Sequence, residues 1–137
     1  MSDWNTKIID EFRTNAGKVG GYFEGKPMLL LHSMGAKSGK EHINPAIYTT
    51  DGDKLVIIAS NGGAPKHPDW YHNLVAHPDA TIEVGTDKFQ VRAEVVPEPD
   101  RTRLYKQMIT VMDSFAEYEQ KTTRVIPVFR LTRITEN

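Results

Sequence analysis

Ile43-Asn44-Pro45-Ala46-Ile47-Tyr48-Thr49-Thr50-Asp51-Gly52-Asp53-Lys54-Leu55-Val56-Ile57-Ile58-Ala59-Ser60 reads as two strands folded back on each other. Apolar, β-branched runs flank Asp51-Gly52-Asp53, and an Asp-Gly pair between such runs signals a hairpin. The strands fall at about Ile43–Thr50 and Lys54–Ser60. Toward the N-terminus, Pro27–Ser33 is a further strand candidate. Toward the C-terminus, Thr81–Val84 and Lys88–Val96 pair around Gly85-Thr86-Asp87. In Phe89-Gln90-Val91-Arg92-Ala93-Glu94-Val95 the odd positions are apolar and the even ones polar, so one face is expected buried and the other wet. Val125–Thr132 closes the set, with Pro127 near its start, where proline is tolerated.

Helices surround these strands. Asp3–Asn15 carries Trp4, Ile8, Ile9 and Phe12 at helical spacing, with Asp3 as its cap and Gly17, Gly20 and Gly21 as its stop. Pro68–Ala76 is a short helix, since proline suits a first turn. Glu98–Met112 is another, with Leu104, Met108, Val111 and Met112 as its inner stripe. A last turn of helix covers Ser114–Lys121. Strands joined by tight turns pair antiparallel, and closing the sheet removes its edges. The expected class is α+β, one domain over residues 1–137, with an N-terminal helix at 1–16 and a small barrel over 27–132.

The 137 residues include no cysteine, which excludes disulfides, thiolate zinc sites and a cysteine nucleophile. The longest apolar run, Met28-Leu29-Leu30-Leu31, is far below the ~20 residues of a membrane span. No basic head precedes an apolar stretch at the N-terminus. A soluble, cytoplasmic protein is expected. Its first helix packs on the barrel or, alternatively, touches the inner face of the plasma membrane peripherally. Monomer and homodimer are both compatible with the sequence. Net charge is −1, which gives no field for nucleic acid. Between Lys18 and Lys40, however, Lys18, Lys26, Lys37 and Lys40 face a single acid, Glu24. Either this is a solvated basic surface or it receives an anionic ligand.

Three segments can carry chemistry. Gly35-Ala36-Lys37-Ser38-Gly39-Lys40 lacks the spacing of a phosphate-binding P-loop, because Glu41 follows Gly39-Lys40. It remains a glycine-framed turn with two lysines and a serine, either an exposed hairpin turn or an anion cradle. Ser60-Asn61-Gly62-Gly63-Ala64-Pro65-Lys66-His67-Pro68-Asp69-Trp70-Tyr71-His72-Asn73-Leu74 runs from a strand through a double glycine into a helix start. It is either an ordinary loop before an amphipathic helix or a place where a planar or phosphorylated ligand meets backbone N–H groups. Phe115 and Tyr118, three apart on a helical turn, are either core or an aromatic wall. His67, His72 and His77 lie five apart, no His-Glu-x-x-His occurs, and no metal is expected. Neither a Gly-x-Ser-x-Gly elbow nor a dinucleotide fingerprint appears.

Taken together, Gly35–Gly39, Asn44-Pro45, Asp51-Gly52, Ala59–Leu74, Pro78 and Arg124-Val125-Ile126-Pro127-Val128 resemble the deazaflavin-dependent nitroreductase family, over about Met28 to Leu131. The resemblance implies a split β-barrel, related to barrels that bind FMN, and coenzyme F420, a deazaflavin with a phosphate and a polyanionic glutamate tail. It implies that Lys37 and Ser38 hold the phosphate and tail. His42, Ile43, Asn44, Pro45, Ala46 and Ile47 would run along the ring and ribityl chain. Ile58, Ala59, Ser60 and Asn61 would make backbone contacts to the deazaflavin. Asp69, Trp70, Tyr71, His72 and Asn73 would face the phosphate end. Phe115 and Tyr118 would close over the ring and, with Ile47 and Met112, shape the substrate pocket. Ser60 would polarise the acceptor and Tyr118 would be the candidate proton donor. The chain departs from the family pattern at Asn61, where close members often carry lysine, and at His42, where they often carry arginine. Fewer aromatics surround Met112 and Ile47 than in the nitroimidazole-activating member.

The implied activity is hydride transfer from reduced F420 to an electron-poor acceptor. Candidates are a quinone, an activated enone, a coumarin-type lactone or a nitroaromatic. The protein's task would be placement, with donor and acceptor held roughly 3–3.5 Å apart. The alternatives are an FMN enzyme on the same barrel and a non-catalytic deazaflavin carrier.

Overall fold

The computed structural model describes residues 3–134. The expected Asp3 cap and the Trp4 side chain lie outside the described residues. The elements are α1 (Asp3–Thr14), β1 (Met28–Met34), β2 (Glu41–Asp51), β3 (Lys54–Ile58), α2 (Asp69–Ala76), β4 (Asp79–Val84), β5 (Asp87–Val95), α3 (Asp100–Val111), α4 (Ser114–Lys121) and β6 (Val128–Arg133). Short 3-10 turns occupy Gly21–Phe23 and Asn61–Gly63. Every strand pair is antiparallel, and the order β1-β2-β3-β6-β5-β4 closes into a barrel through β1 and β4.

Strand alternation builds two cores from one sheet. Leu29, Leu31, Ile57, Ala59, Ile82, Val91, Phe129 and Leu131 fill the barrel, and Trp70 and Leu74 of α2 pack among them. Met28, Leu30, Val56, Ile58 and Val128 point the other way and meet Ile9, Phe12, Leu104 and Met108 from the helices. The unbroken Met28–Leu31 run thus belongs to a strand buried on both faces. Ile9 and Phe12 of α1 lie in the core and Ile8 packs against it. The C-terminal end of α1 is held by Arg13, which donates two hydrogen bonds to Glu83 at 3.2 and 2.8 Å. That guanidinium, and then His32, hold the Glu83 carboxyl below the usual carboxylate range. Among the described residues no helix is long and apolar enough to cross a membrane.

Several boundaries differ from expectation for identifiable reasons. β3 stops at Ile58 rather than Ser60, because the carbonyls of Ala59 and Ser60 turn to the Arg124 guanidinium. β6 begins at Val128 rather than Val125, because the Ile126 carbonyl accepts from Arg101 at 3.0 Å. β2 starts two residues early, since Met34↔Glu41 and Ser33↔His42 extend its pairing with β1. On β5 the alternation holds at Val91 and Ala93, which are buried, but Val95 is exposed.

Candidate functional site

A cavity of about 520 Å³ opens where β2, the end of β3, the start of α2 and the α3–α4 corner meet. Its apolar surface comes from Pro45, Ala46, Ile47, Ile58, Trp70, Met112, Phe115 and Phe23. Polar groups are sparse: Asn5, Asn44, Ser60, Asn61, His67, Asp69 and the Tyr118 hydroxyl. A second cavity of about 530 Å³ adjoins it, sharing Asn5, Asn44 and Asp69 and adding Glu41, His42, Ile43 and Asn73. Together they form one groove from the aromatic corner toward the β1–β2 turn. A few placed polar groups on a mostly apolar concave surface are the general character of small-molecule sites.

The β1–β2 turn is tied to this groove through Asn73. Its side-chain oxygen accepts from the Ala36 amide at 2.9 Å, and its amide donates to Ser33 Oγ at 3.1 Å. The turn is tight: a Cβ added to Gly35 would sit 2.4 Å from Ser38 Oγ and 3.0 Å from His42 Nε2. The lysine turn and the tryptophan-bearing helix start therefore lie on the same side of the molecule.

The four-lysine excess does not form one patch. Lys18 and Lys26 line a separate groove of about 620 Å³, and Lys26 donates to the Val111 carbonyl at 2.9 Å. Only Lys37 and Lys40 stand on the turn, exposed and without an ion pair among the described residues.

Of the residues expected at the site, His42, Ile43, Asn44, Pro45, Ala46, Ile47, Ile58, Ser60, Asn61, Asp69, Trp70, Asn73, Met112, Phe115 and Tyr118 line one or both cavities. Lys37 and Ser38 line neither and project from the turn beside the groove; Ser38 Oγ accepts from the Lys40 amide. Ala59 is fully buried, with its amide bonded to Pro127 O and its carbonyl to Arg124, so its backbone is already paired. Tyr71 stacks on His67 and meets Phe129, while His72 is exposed.

Arg124 had no role assigned from sequence, yet it organises the loop. It donates to the carbonyls of Ser60 (2.7 Å), Ala64 (3.0 Å) and Ala59 (3.2 Å), and meets His67 Nδ1 at 2.9 Å. Burial lowers its pKa from the ordinary value. The signal available was an arginine immediately before Val-Ile-Pro-Val, in the linker between α4 and β6. Phe23 was also missed. An aromatic pair inside a glycine-framed turn was its only trace.

Burial, and then the charges of Arg124 and His72, hold His67 below its ordinary pKa of 6.5. The unfolded chain therefore binds this proton more readily than the folded one. The stability contributed by neutral His67 is complete above pH 6.5 and is lost as pH falls through the folded value. Between about pH 7 and pH 5, Tm of the wild type should fall more steeply than that of His67→Gln; parallel curves would show that this histidine does not report on the loop.

The model of the F420H2-dependent quinone reductase family matches residues 4–133. An F420H2-dependent quinone reductase of Mycobacterium tuberculosis H37Rv is 41% identical over 127 residues, covering 89% of this chain and 85% of that one. This chain belongs to the F420H2-dependent quinone reductase family. The solved structure of an F420H2-dependent reductase is 35% identical, with a TM-score of 0.70 over 77% of this chain and 93% of that one. A second solved structure, described as a domain-swapped dimer, is 31% identical with a TM-score of 0.73 over 94% of this chain and 97% of that one. The protein is thus an F420-dependent oxidoreductase on an α+β split barrel, with coenzyme F420 as its cofactor. The FMN and carrier alternatives find no support in these relatives.

A flat ring would find its best fit at the aromatic corner, where Ile47, Ile58 and Phe115 offer apolar contact beside two hydroxyls. The second cavity carries Glu41 and Asp69, so an anionic group there would need compensating positive charge such as the exposed Lys37 and Lys40 of the turn beside it.

Proposed function

We propose that this chain reduces quinones with F420H2 in the groove between β2, α2 and α4. The carrying observation is that an apolar cavity with two hydroxyls, Ser60 and Tyr118, continues into a second cavity beside the unpaired lysines of the β1–β2 turn. When bound, the reduced deazaflavin supplies a hydride. The protein contributes position, dryness and proton control. Ile47 and Ile58 form an apolar wall, Pro45 and Ala46 an edge, and Met112 and Phe115 a cover that excludes water. Asn44 and Trp70 offer an amide and a ring face. Lys37, Ser38 and Lys40 take the anionic end, with charge-assisted bonds of about 1.5–3 kcal/mol each at most, reduced by solvent at this exposed turn. Ser60 and Tyr118 stabilise negative charge developing on the acceptor oxygen. Enones, coumarin-type lactones and nitroaromatics share the electron-poor planar character of quinones and form the comparison set.

The test is a titration with F420, following tryptophan fluorescence, and then turnover with a quinone panel. Binding followed by quinone reduction supports the proposal, whereas binding without turnover of any acceptor would overturn it. Tyr118→Phe keeps the ring wall and removes the hydroxyl. It should lower kcat about 10²-fold with less than about threefold change in F420 affinity. Kinetics equal to those of the wild type would remove Tyr118 from the chemistry.

A further inference from the structure

Three hydroxyls meet at the edge of the cavity. Ser114 and Tyr118 lie four apart on α4 and therefore share one face of it. Tyr22, on the Gly21–Phe23 turn, reaches across and hydrogen-bonds to Ser114 Oγ. The Tyr118 hydroxyl lies against both Tyr22 and Ser114. Only Tyr118 of the three lines the cavity. Tyr22 is 63% exposed, so its end of the cluster is in water. Phe23, the next residue, lines the cavity and keeps the turn against it.

We propose that Tyr22 and Ser114 form a proton relay that reloads Tyr118 from solvent during acceptor reduction. This rests on the quinone-reductase reading. A quinone that accepts a hydride gains two electrons and one proton and becomes a hydroquinone monoanion; the reduced cofactor would lose those two electrons with the hydride and would release its second proton to solvent. One proton then completes the hydroquinone. The Tyr118 O–H bond breaks as the proton goes to the hydroquinone oxygen. A proton from Ser114 replaces it, one from Tyr22 replaces that, and water restores Tyr22.

The relay answers a physical difficulty. Burial, first of all, raises the Tyr118 pKa, and the neighbouring Tyr22 hydroxyl raises it further, against a lowering by Ser114. A tyrosinate left in this apolar corner would be costly. Hydroxyls that each donate and accept can hand protons on without leaving that charge in place. Tyr22 and Ser114 act through Tyr118 and are positioning residues.

Tyr22→Phe and Ser114→Ala test this, since an exposed phenol and a first-turn serine are mild replacements for folding. Each should lower kcat with an ordinary quinone about tenfold and leave F420 affinity within about twofold. The double variant should be no slower than either single one, because the path is shared. The solvent deuterium effect should report several protons in the wild type and one in the variants. The loss should shrink with quinones whose hydroquinones are acids strong enough to stay anionic at the assay pH. A readout without cofactor is NMR of isotope-labelled tyrosine. Tyr118, faced by Tyr22, Ser114 and Glu117, should ionise at lower pH in Tyr22→Phe and at higher pH in Ser114→Ala. Wild-type rates and isotope effects in both variants would overturn the relay and leave the reductase standing. A wild-type protein that binds F420 and reduces no quinone would instead overturn the activity and the relay with it.

Discussion

Replacing Arg124 by alanine is expected to release the Ser60–His67 loop, cost about 2–3 kcal/mol of stability and abolish measurable F420 binding. The guanidinium satisfies three backbone carbonyls and one imidazole nitrogen, all in the loop that forms the mouth of the cavity. Bonds to a charged donor contribute about 1.5–3 kcal/mol each when isolated. Part-burial of Arg124 and the return of water to the freed carbonyls bring the sum well below that multiple. Arg124→Lys should recover little, because an ammonium lacks the planar fork that reaches several acceptors at once. Denaturant melts and an F420 titration measure the two effects. An Arg124→Ala protein within about 0.5 kcal/mol of the wild type would mean that the loop is held by something else.

Gly63→Ala is the second large effect. Gly63 has φ +82°, where an L side chain costs about 1–2 kcal/mol. Its added Cβ would also stand 3.0 Å from the Tyr118 carbonyl oxygen and 3.0 Å from Lys121 Cβ. Backbone cannot swing aside as a long side chain can, so α4 has to lift, carrying Phe115 and Tyr118 off the cavity. F420 affinity should fall about tenfold, and kcat by about 10²-fold, since about 1 Å of misplacement suffices for such losses. Gly62→Ala is the control. It has a similar positive φ of +64°, yet a Cβ there would meet nothing within 4 Å. Gly62 itself lines the cavity, so some loss is expected, but with α4 left seated kcat should fall far less than in Gly63→Ala. Equal losses in both variants would show that α4 is not seated on this turn.

The Asp51-Gly52-Asp53 hairpin and the inward face of β5 at Val91 and Ala93 were legible because local turn chemistry and alternation act over a few residues. The closure of β1 on β4 and the pairing of β3 with β6 join residues far apart in the chain, and no local pattern encodes those partners. The same distinction holds at the site. Asn44–Ile47, Ser60 and Trp70 could be assigned through resemblance, because they stand in recognisable strings. Arg124 could not be given its role, because its partners lie some sixty residues earlier and are backbone carbonyls, which leave no mark in the sequence. The lysine excess misled for a related reason. Lys18 and Lys26 share one groove, and β1 (Met28–Met34) then carries the chain away to the turn that holds Lys37 and Lys40.

Backbone amide NMR of the full chain during an F420 titration tests the groove most directly. Resonance shifts should concentrate at Asn44–Ile47, Ile58–Gly62, Pro68-flanking residues of α2, Met112–Tyr118 and the Gly35–His42 turn, and leave the Lys18–Lys26 groove unmoved. Shifts centred on that second groove, with Ile47, Ser60 and Phe115 unperturbed, would contradict the proposed binding mode.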